Sequence, residues 1–254
     1  MKTIALFNQK GGVGKTTSAA NIGAGLARLG RRVLLIDLDP QANLTYSLGL
    51  DPFSLDASIY ELLDGKAALA DTIRPRDGFD LIPAAIQLAG AELQFAGIPG
   101  REFLLRDALT AAAGYDYALI DCPPSLGLLT LNALAACQAV YIPIQAELLP
   151  LQGLRQLMDT VELVKRRLNQ EIEITGVITT FYDPRKIMQR TVLERIGELF
   201  GGKVFKAPIR VNVALAEAPG KGQTIFEYNP DSNGAADYTA LCQEILTREG
   251  GQNG

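Results

Sequence analysis

The 254-residue chain contains no histidine. That absence excludes Ser-His-Asp triads, histidine metal sites and histidine general bases. Cysteine is scarce: Cys122, Cys137 and Cys242 are widely spaced and form no C-x-x-C pair. Zinc ribbons and thioredoxin-like redox chemistry are therefore not expected. An odd cysteine count without a secretory leader points to a reducing, cytoplasmic setting. No uncharged apolar run approaches the ~20 residues that cross a bilayer, so no membrane span is expected. Repeats, low-complexity blocks and Pro- or Ser-rich linkers are also missing. This predicts one domain over residues 1–248, with 249–254 as a flexible tail.

What is present is a globular balance, with 48% hydrophobic and 20% charged residues. The formal charge of −4 argues, taken as an average, against a general nucleic-acid binder. The average hides a reversal. Residues 183–221 hold eight basic and four acidic side chains, a local +4 that leaves −8 on the remainder.

Short apolar runs alternate with helical patterns. Strands are expected at Thr3–Asn8, Arg32–Asp37, Phe79–Pro83, Tyr117–Asp121, Ala139–Ile144 and Ile172–Thr179. Helices are expected at Thr16–Leu29, around Ser58–Leu63, and at Glu102–Ala113, Leu126–Ala136, Pro150–Leu168, Lys186–Phe200 and Asp237–Arg248. Gly30 marks the end of the first helix, and Pro40–Leu50 reads as a polar loop. Continuous apolar strands separated by helices predict an α/β fold: a mainly parallel, twisted sheet with helices on both faces.

The sharpest motif is Lys10-Gly11-Gly12-Val13-Gly14-Lys15-Thr16-Thr17, between the first strand and the first helix. Glycines let main-chain N–H groups close on an anion, and the helix that follows turns its positive dipole end to the same place. Lys15 is placed to reach β- and γ-phosphates, and the Thr16 hydroxyl to hold Mg²⁺. The ordinary phosphate loop has glycine where this chain has Gln9, and a second lysine, Lys10, precedes the glycine pair. The alternative, a glycine turn with an incidental lysine, does not explain why three glycines, Lys and Thr coincide at a strand–helix junction.

This run resembles the deviant Walker A motif of the ParA/MinD group of P-loop ATPases. Leu35–Asn43 (LIDLDPQAN) resembles that group's switch I segment, and Leu119–Ser125 (LIDCPPS) its Walker B and switch II segment. Leu215–Gly220 (LAEAPG) resembles an element of the ParA/Soj branch. The order and spacing of these motifs cover nearly the whole chain. The resemblance implies a deviant Walker A P-loop NTPase fold and a Mg²⁺-dependent ATPase. It also implies a homodimer in the ATP state, in which Lys10 crosses to the partner's phosphates. There it would add positive charge where the transition state spreads negative charge.

Asp37 and Asp39 lie two residues apart at the end of a strand. By resemblance Asp39 positions the attacking water and Asp37 belongs to the magnesium shell; Asp39 is also placed to cap a turn before Pro40. Asp121 reads as the Walker B acid, a further magnesium-shell residue. Cys122 reads as a small core residue. The loop Arg210-Val211-Asn212 falls where relatives cup adenine and ribose. Asn212 matches an Asn there, whereas Arg210 stands where they usually have Pro.

The relatives bind DNA without sequence preference, and Arg185 in YDPRK resembles one of their DNA-contacting arginines. The local basicity adds Lys186, Arg190, Lys203, Lys206 and Lys221 as DNA candidates. Val211 and Ala214 replace two arginines common in the relatives. The alternative is a solvated basic face. A MinD-like membrane role needs a basic amphipathic end, and ADYTALCQEILTREGGQNG has none. The expectation is a cytoplasmic, nucleoid-associated ATPase that positions a chromosome, plasmid or protein assembly. A ParB-like or cargo-adaptor protein would stimulate its hydrolysis. The alternatives are a protein-only ATPase switch and a metabolic P-loop ligase.

Overall fold

The structure is a computed structural model that describes residues 1–146 and 151–250. Seven strands form one sheet: β1 Lys2–Leu6, β2 Val33–Asp37, β3 Arg74–Pro75, β4 Asp80–Ile82, β5 Tyr117–Asp121, β6 Ala139–Gln145 and β7 Glu173–Thr180. Their order is β3-β4-β2-β5-β1-β6-β7. Every pairing is parallel except that of the short edge strand β3 with β4.

Helices cover both faces. The longer ones are α1 Lys15–Arg28, α7 Leu128–Ala136, α8 Leu151–Arg167, α9 Ile187–Phe200 and α12 Asn233–Gly250. Shorter ones are α2 Asn43–Ser47, α3 Ile59–Leu63, α4 Leu69–Thr72, α5 Ala91–Gln94, α6 Leu104–Leu109, α10 Val213–Glu217 and α11 Ile225–Tyr228. The strand period of two divides the core. Along β1 and the residue that follows it, Ile4 and Leu6 pack into the layer of α1, α11 and α12, while Ala5 and Phe7 face the layer of α7, α8 and α9. Both faces are buried, which is why these strands read as unbroken apolar runs.

Local chemistry explains the ends of elements. At the end of α1 the Gly30 N–H bonds the Ala27 carbonyl and the Arg31 N–H bonds the Leu26 carbonyl, with Gly30 at φ 78°. This is a Schellman ending, as the glycine there predicted. Ser58 and Glu61 form a capping box on α3, and Thr224 and Glu227 form another on α11.

The expected Pro40–Leu50 loop contains α2, a helix that tertiary bonds hold in place. Thr45 donates its N–H and its hydroxyl to Asp37, at 2.8 and 2.7 Å. The last helix starts at Asn233, earlier than expected, because the Ser232 hydroxyl caps it by accepting from the Ala235 N–H. It runs to Gly250, past the expected boundary at 248. Glu249 forms a 2.7 Å ion pair with Lys2. The expected helix start at Pro150 and the tail 251–254 lie outside the described residues. Among the described residues no helix is long and apolar enough to cross a membrane.

Candidate phosphate and nucleotide site

The carboxyl ends of β1, β2 and β5 lie side by side, in the crevice where open α/β sheets bind ligands. In register, Leu6 stands beside Asp121, and Asp121 beside Asp37. The loop from Asn8 to Gly14 leaves β1 at this edge and enters α1. Gly12 and Gly14 adopt φ 72° and 86°. A Cβ on Gly14 would meet only ordinary contacts with Thr180 and Phe181, and one on Gly12 nothing within 4 Å. Backbone conformation, not crowding, is what calls for glycine here.

Three carbonyls of the loop are bound by side chains. Lys15 Nζ donates to the Lys10 carbonyl at 3.4 Å, Gln145 Nε2 to Gly12 at 3.0 Å and Thr180 Oγ1 to Val13 at 2.9 Å. In a trans peptide the next N–H points the opposite way. The N–H groups of Gly11, Val13 and Gly14 are therefore turned away from these donors. The N–H groups of the first turn of α1 lack intrahelical acceptors, which makes them donors suited to an anion.

Lys15 is buried, and burial lowers its pKa, partly offset by the carboxylates of Asp121 and Asp39. The Thr16 hydroxyl donates to Asp121 Oδ2 at 2.6 Å. Asp121 is fully buried. Desolvation raises its pKa well above the usual carboxylate range, and the neighbouring Asp37 adds to this. Among the described residues, its Oδ1 has no hydrogen-bond partner. Burial pushes Asp37 up to about 6, against the bonds from Thr45 and the Asp39 N–H that favour its charged form. Asp39 is buried beside it, and its Oδ1 accepts from the Gln41 N–H at 2.9 Å, the turn cap expected before Pro40.

An orphaned buried carboxylate oxygen next to a hydroxyl is a fitting donor set for a hard divalent cation. Among the described residues, no three His, Cys, Asp or Glu side chains form a ready-made metal cage. The donor set thus leaves places for phosphate oxygens and water, as Mg²⁺ sites usually do.

Beside the loop lies a mainly apolar cavity of about 300 Å³, lined by Gly14 and Thr17 on one side and by Phe181, Arg210, Asn212 and Pro219 on the other. The expected residues Thr17, Arg210 and Asn212 therefore meet at one cavity. The Arg210 guanidinium, however, is held by Asp237 at 2.6 Å. A larger cavity, about 350 Å³, opens between Lys2, Glu173, Lys203 and Arg248, away from the phosphate loop. Size therefore does not mark the functional site; chemistry does.

Phe181, Thr180, Gln145 and Thr45 escaped sequence reasoning. Their signal was position: Gln145, Thr180 and Phe181 stand at the carboxyl ends of the parallel strands β6 and β7. Phe181 carries the further mark of φ 51°, rare for an aromatic residue.

The six basic candidates are all exposed but do not form one cluster. Arg185, Lys186 and Arg190 gather at the start of α9. Arg185 is paired with Asp183 at 2.9 Å, and Arg190 donates to the Pro184 carbonyl at 2.9 Å. Lys203 and Lys206 lie further back along the β7 edge, where Val204 bridges Val177 and Phe205 bonds the Val177 carbonyl. Lys221 lines a separate cavity with Tyr46 and Asp51. Val211 and Val213 are exposed.

A family model described as an AAA domain matches residues 1–174. The chain is 47% identical over 247 residues to the sporulation initiation inhibitor protein Soj of Bacillus subtilis, covering 96% of this chain and 98% of that protein. It is 42% identical over 254 residues to the chromosome partitioning protein ParA of Caulobacter vibrioides, covering 98% and 95%. Among solved structures, the cobyrinic acid a,c-diamide synthase from Mycobacterium smegmatis, with bound ATP analog and magnesium, superposes with a TM-score of 0.85. It is 39% identical and covers 97% of this chain and 94% of that one.

Proposed function

Because this chain belongs to the Soj/ParA family of chromosome-partitioning ATPases, we propose that it binds ATP with Mg²⁺ and hydrolyses it as the timing step of a DNA-positioning cycle. The observation that carries this reading is the junction of the phosphate loop with Asp121 through Thr16, beside Asp37, Asp39 and a base-sized cavity.

The N–H groups of the loop and the Lys15 ammonium hold the phosphates of ATP. Thr16, Asp121 and Asp37 are the residues that would hold Mg²⁺, which supplies charge neutralisation at the phosphates. Asp39 orients the attacking water. Arg210 and Asn212 line the base cavity. ATP closes two subunits face to face, and each Lys10 enters the other site, which makes turnover depend on dimerisation.

The dimer binds DNA through backbone phosphates, without sequence preference. Arg185, Lys186 and Arg190 form the main patch, with Lys203, Lys206 and Lys221 as outlying contacts. A ParB-like or cargo-adaptor protein stimulates hydrolysis and returns the dimer to monomers. The protein works in the cytoplasm, on the nucleoid. A weakly basic face on an acidic body suits a protein that must let go of DNA when its dimer opens.

A DNA-binding assay with and without ATP, across a salt series, tests this reading. Binding that needs ATP, ignores sequence and weakens with salt supports it. Absence of binding at any salt favours a protein-only ATPase switch or a metabolic ligase, the latter in view of the likeness to the Mycobacterium smegmatis cobyrinic acid a,c-diamide synthase.

A further inference from the structure

We propose that Gln145 is a positioning residue that parks the Lys10 ammonium on its own phosphate loop, and that Lys10 must leave this amide to serve the opposite subunit. The inference rests on the role of Lys10 across the dimer proposed above.

Gln145 is the last residue of β6, the strand next to β1. Its Oε1 accepts from Lys10 Nζ at 3.2 Å, and its Nε2 donates to the Gly12 carbonyl at 3.0 Å. The two partners fix the orientation of the amide, since an ammonium only donates and a carbonyl only accepts. No other side chain of that length does both: a glutamate has no donor for Gly12, and a leucine has neither function.

The backbone around Lys10 is tied to the same strand end by separate bonds. Asn8 Nδ2 donates to the Pro143 carbonyl at 2.8 Å, and Asn8 Oδ1 accepts from the Lys10 N–H at 3.0 Å. The start of the loop is thus fixed whether or not the Lys10 side chain is in place, so only the ammonium has to move. The two lysines of the motif are held differently: Lys15 is buried within the loop, whereas the Lys10–Gln145 bond lies at the exposed rim. A bond at the rim can be exchanged for phosphate at modest cost, and its strength contributes to how readily Lys10 is released.

Two variants separate parking from simple bracing of the loop. Gln145→Leu removes both bonds. Gln145→Glu loses the bond to Gly12 but keeps an acceptor for Lys10 and adds a negative charge. A bracing role alone moves both variants in the same direction, whereas parking moves them in opposite directions.

Two measurements read this. The first is acylation of the Lys10 amine in the nucleotide-free protein, followed by mass spectrometry, with exposed Lys221 as the internal reference. The second is dimerisation at saturating ATP and Mg²⁺, by sedimentation. Gln145→Leu should label Lys10 several-fold faster and lower the concentration for half-dimerisation about threefold to tenfold. Gln145→Glu should label Lys10 more slowly and raise that concentration.

Unchanged Lys10 labelling in Gln145→Leu, or dimerisation shifts of the same sign in both variants, would overturn the proposal. If the unaltered chain forms no dimer with ATP, the function proposed above fails. The labelling then still decides, by itself, whether Gln145 holds Lys10.

Discussion

The Thr16 hydroxyl and Asp121 Oδ2 are 2.6 Å apart, although 105 positions separate them in sequence. This bond joins the first turn of α1 to the end of β5. It leaves the second oxygen of Asp121, among the described residues, buried without a partner. A buried carboxylate in that state is costly unless a cation or proton meets it. The bond therefore marks where charge enters the site.

Thr16→Ala should abolish the part of nucleotide affinity that depends on Mg²⁺. Titration of a fluorescent nucleotide, with Mg²⁺ and with chelator, should give the same dissociation constant for the variant under both conditions. The unaltered chain should bind about tenfold or more tighter with the metal. If Mg²⁺ still tightens binding to the variant, the metal is held elsewhere.

Lys15→Ala and Asp39→Ala should fail differently. Lys15 sits within the loop and its loss should remove nucleotide binding, and with it ATP-driven dimerisation. Asp39 is buried beside Asp37 rather than in the loop. Its loss should leave ATP binding intact and slow turnover about a hundredfold or more, trapping an ATP dimer that stays on DNA. Turnover at the original rate in Asp39→Ala would remove it from the water-orienting role.

Much of this site was legible in sequence because strong local rules produce it. Three glycines, a lysine and a threonine between an apolar strand and a helix leave few alternatives, and Asp37 and Asp121 end apolar runs where parallel strands open. What stayed hidden depends on contacts between distant segments. Helix α2 is held because the Asp37 carboxylate accepts the N–H and hydroxyl of Thr45, and nothing in the polar run Pro40–Leu50 announces that bond. Gln145 and Phe181 reach the loop only because β6 and β7 are placed beside β1 in the order of the sheet. The basic count over 183–221 was correct as a sum, but the fold disperses those charges over the start of α9, the β7 edge and the separate cavity beside Tyr46 and Asp51.

Thr45→Val should destabilise the fold without touching the phosphate loop. The hydroxyl donates to Asp37 at 2.7 Å and accepts from the Ala84 N–H at 2.8 Å, and both partners are buried. Valine keeps the shape and loses both bonds, at a cost of about 1–3 kcal/mol. Urea unfolding should show a lower midpoint with an unchanged slope. An unchanged midpoint would mean that the Asp37–Thr45 bond does not hold α2 in place.

The Asp183 carboxyl should titrate near 2, because Arg185 holds it down through a two-point bond and the Asp183–Arg185 turn adds a backbone N–H. A carboxyl depressed in the folded state adds stability above its ordinary pKa of about 4. That stability is lost as the pH falls through 2. Carboxyl titration by NMR should find Asp183 back in the ordinary range in Arg185→Ala, and added salt should raise it in the unaltered chain, since the arginine is exposed. A value unmoved in Arg185→Ala would show that the pair does not form in solution, leaving Arg185 fully available to DNA phosphates.

Arg210 and Asn212 line one cavity but should separate stability from affinity. The Arg210 guanidinium bonds Asp237 through Nε and Nη2, and its own N–H bonds the same carboxylate at 2.9 Å. Asp237 is buried, so Arg210→Ala leaves a carboxylate with a backbone donor only. The expected loss is about 1–3 kcal/mol, between that of a surface pair and that of a buried one. Nucleotide affinity should stay within about twofold, because the guanidinium fork is already committed. Asn212 is the N-cap residue of α10 yet makes no capping bond with its side chain, which leaves its amide for a ligand in the cavity. Asn212→Ala should therefore lower nucleotide affinity about fivefold to tenfold, as loss of one hydrogen bond does, with the unfolding midpoint unchanged. If Arg210→Ala instead loses affinity and keeps its stability, the ion pair with Asp237 gives way when the nucleotide binds, and Arg210 is a ligand contact.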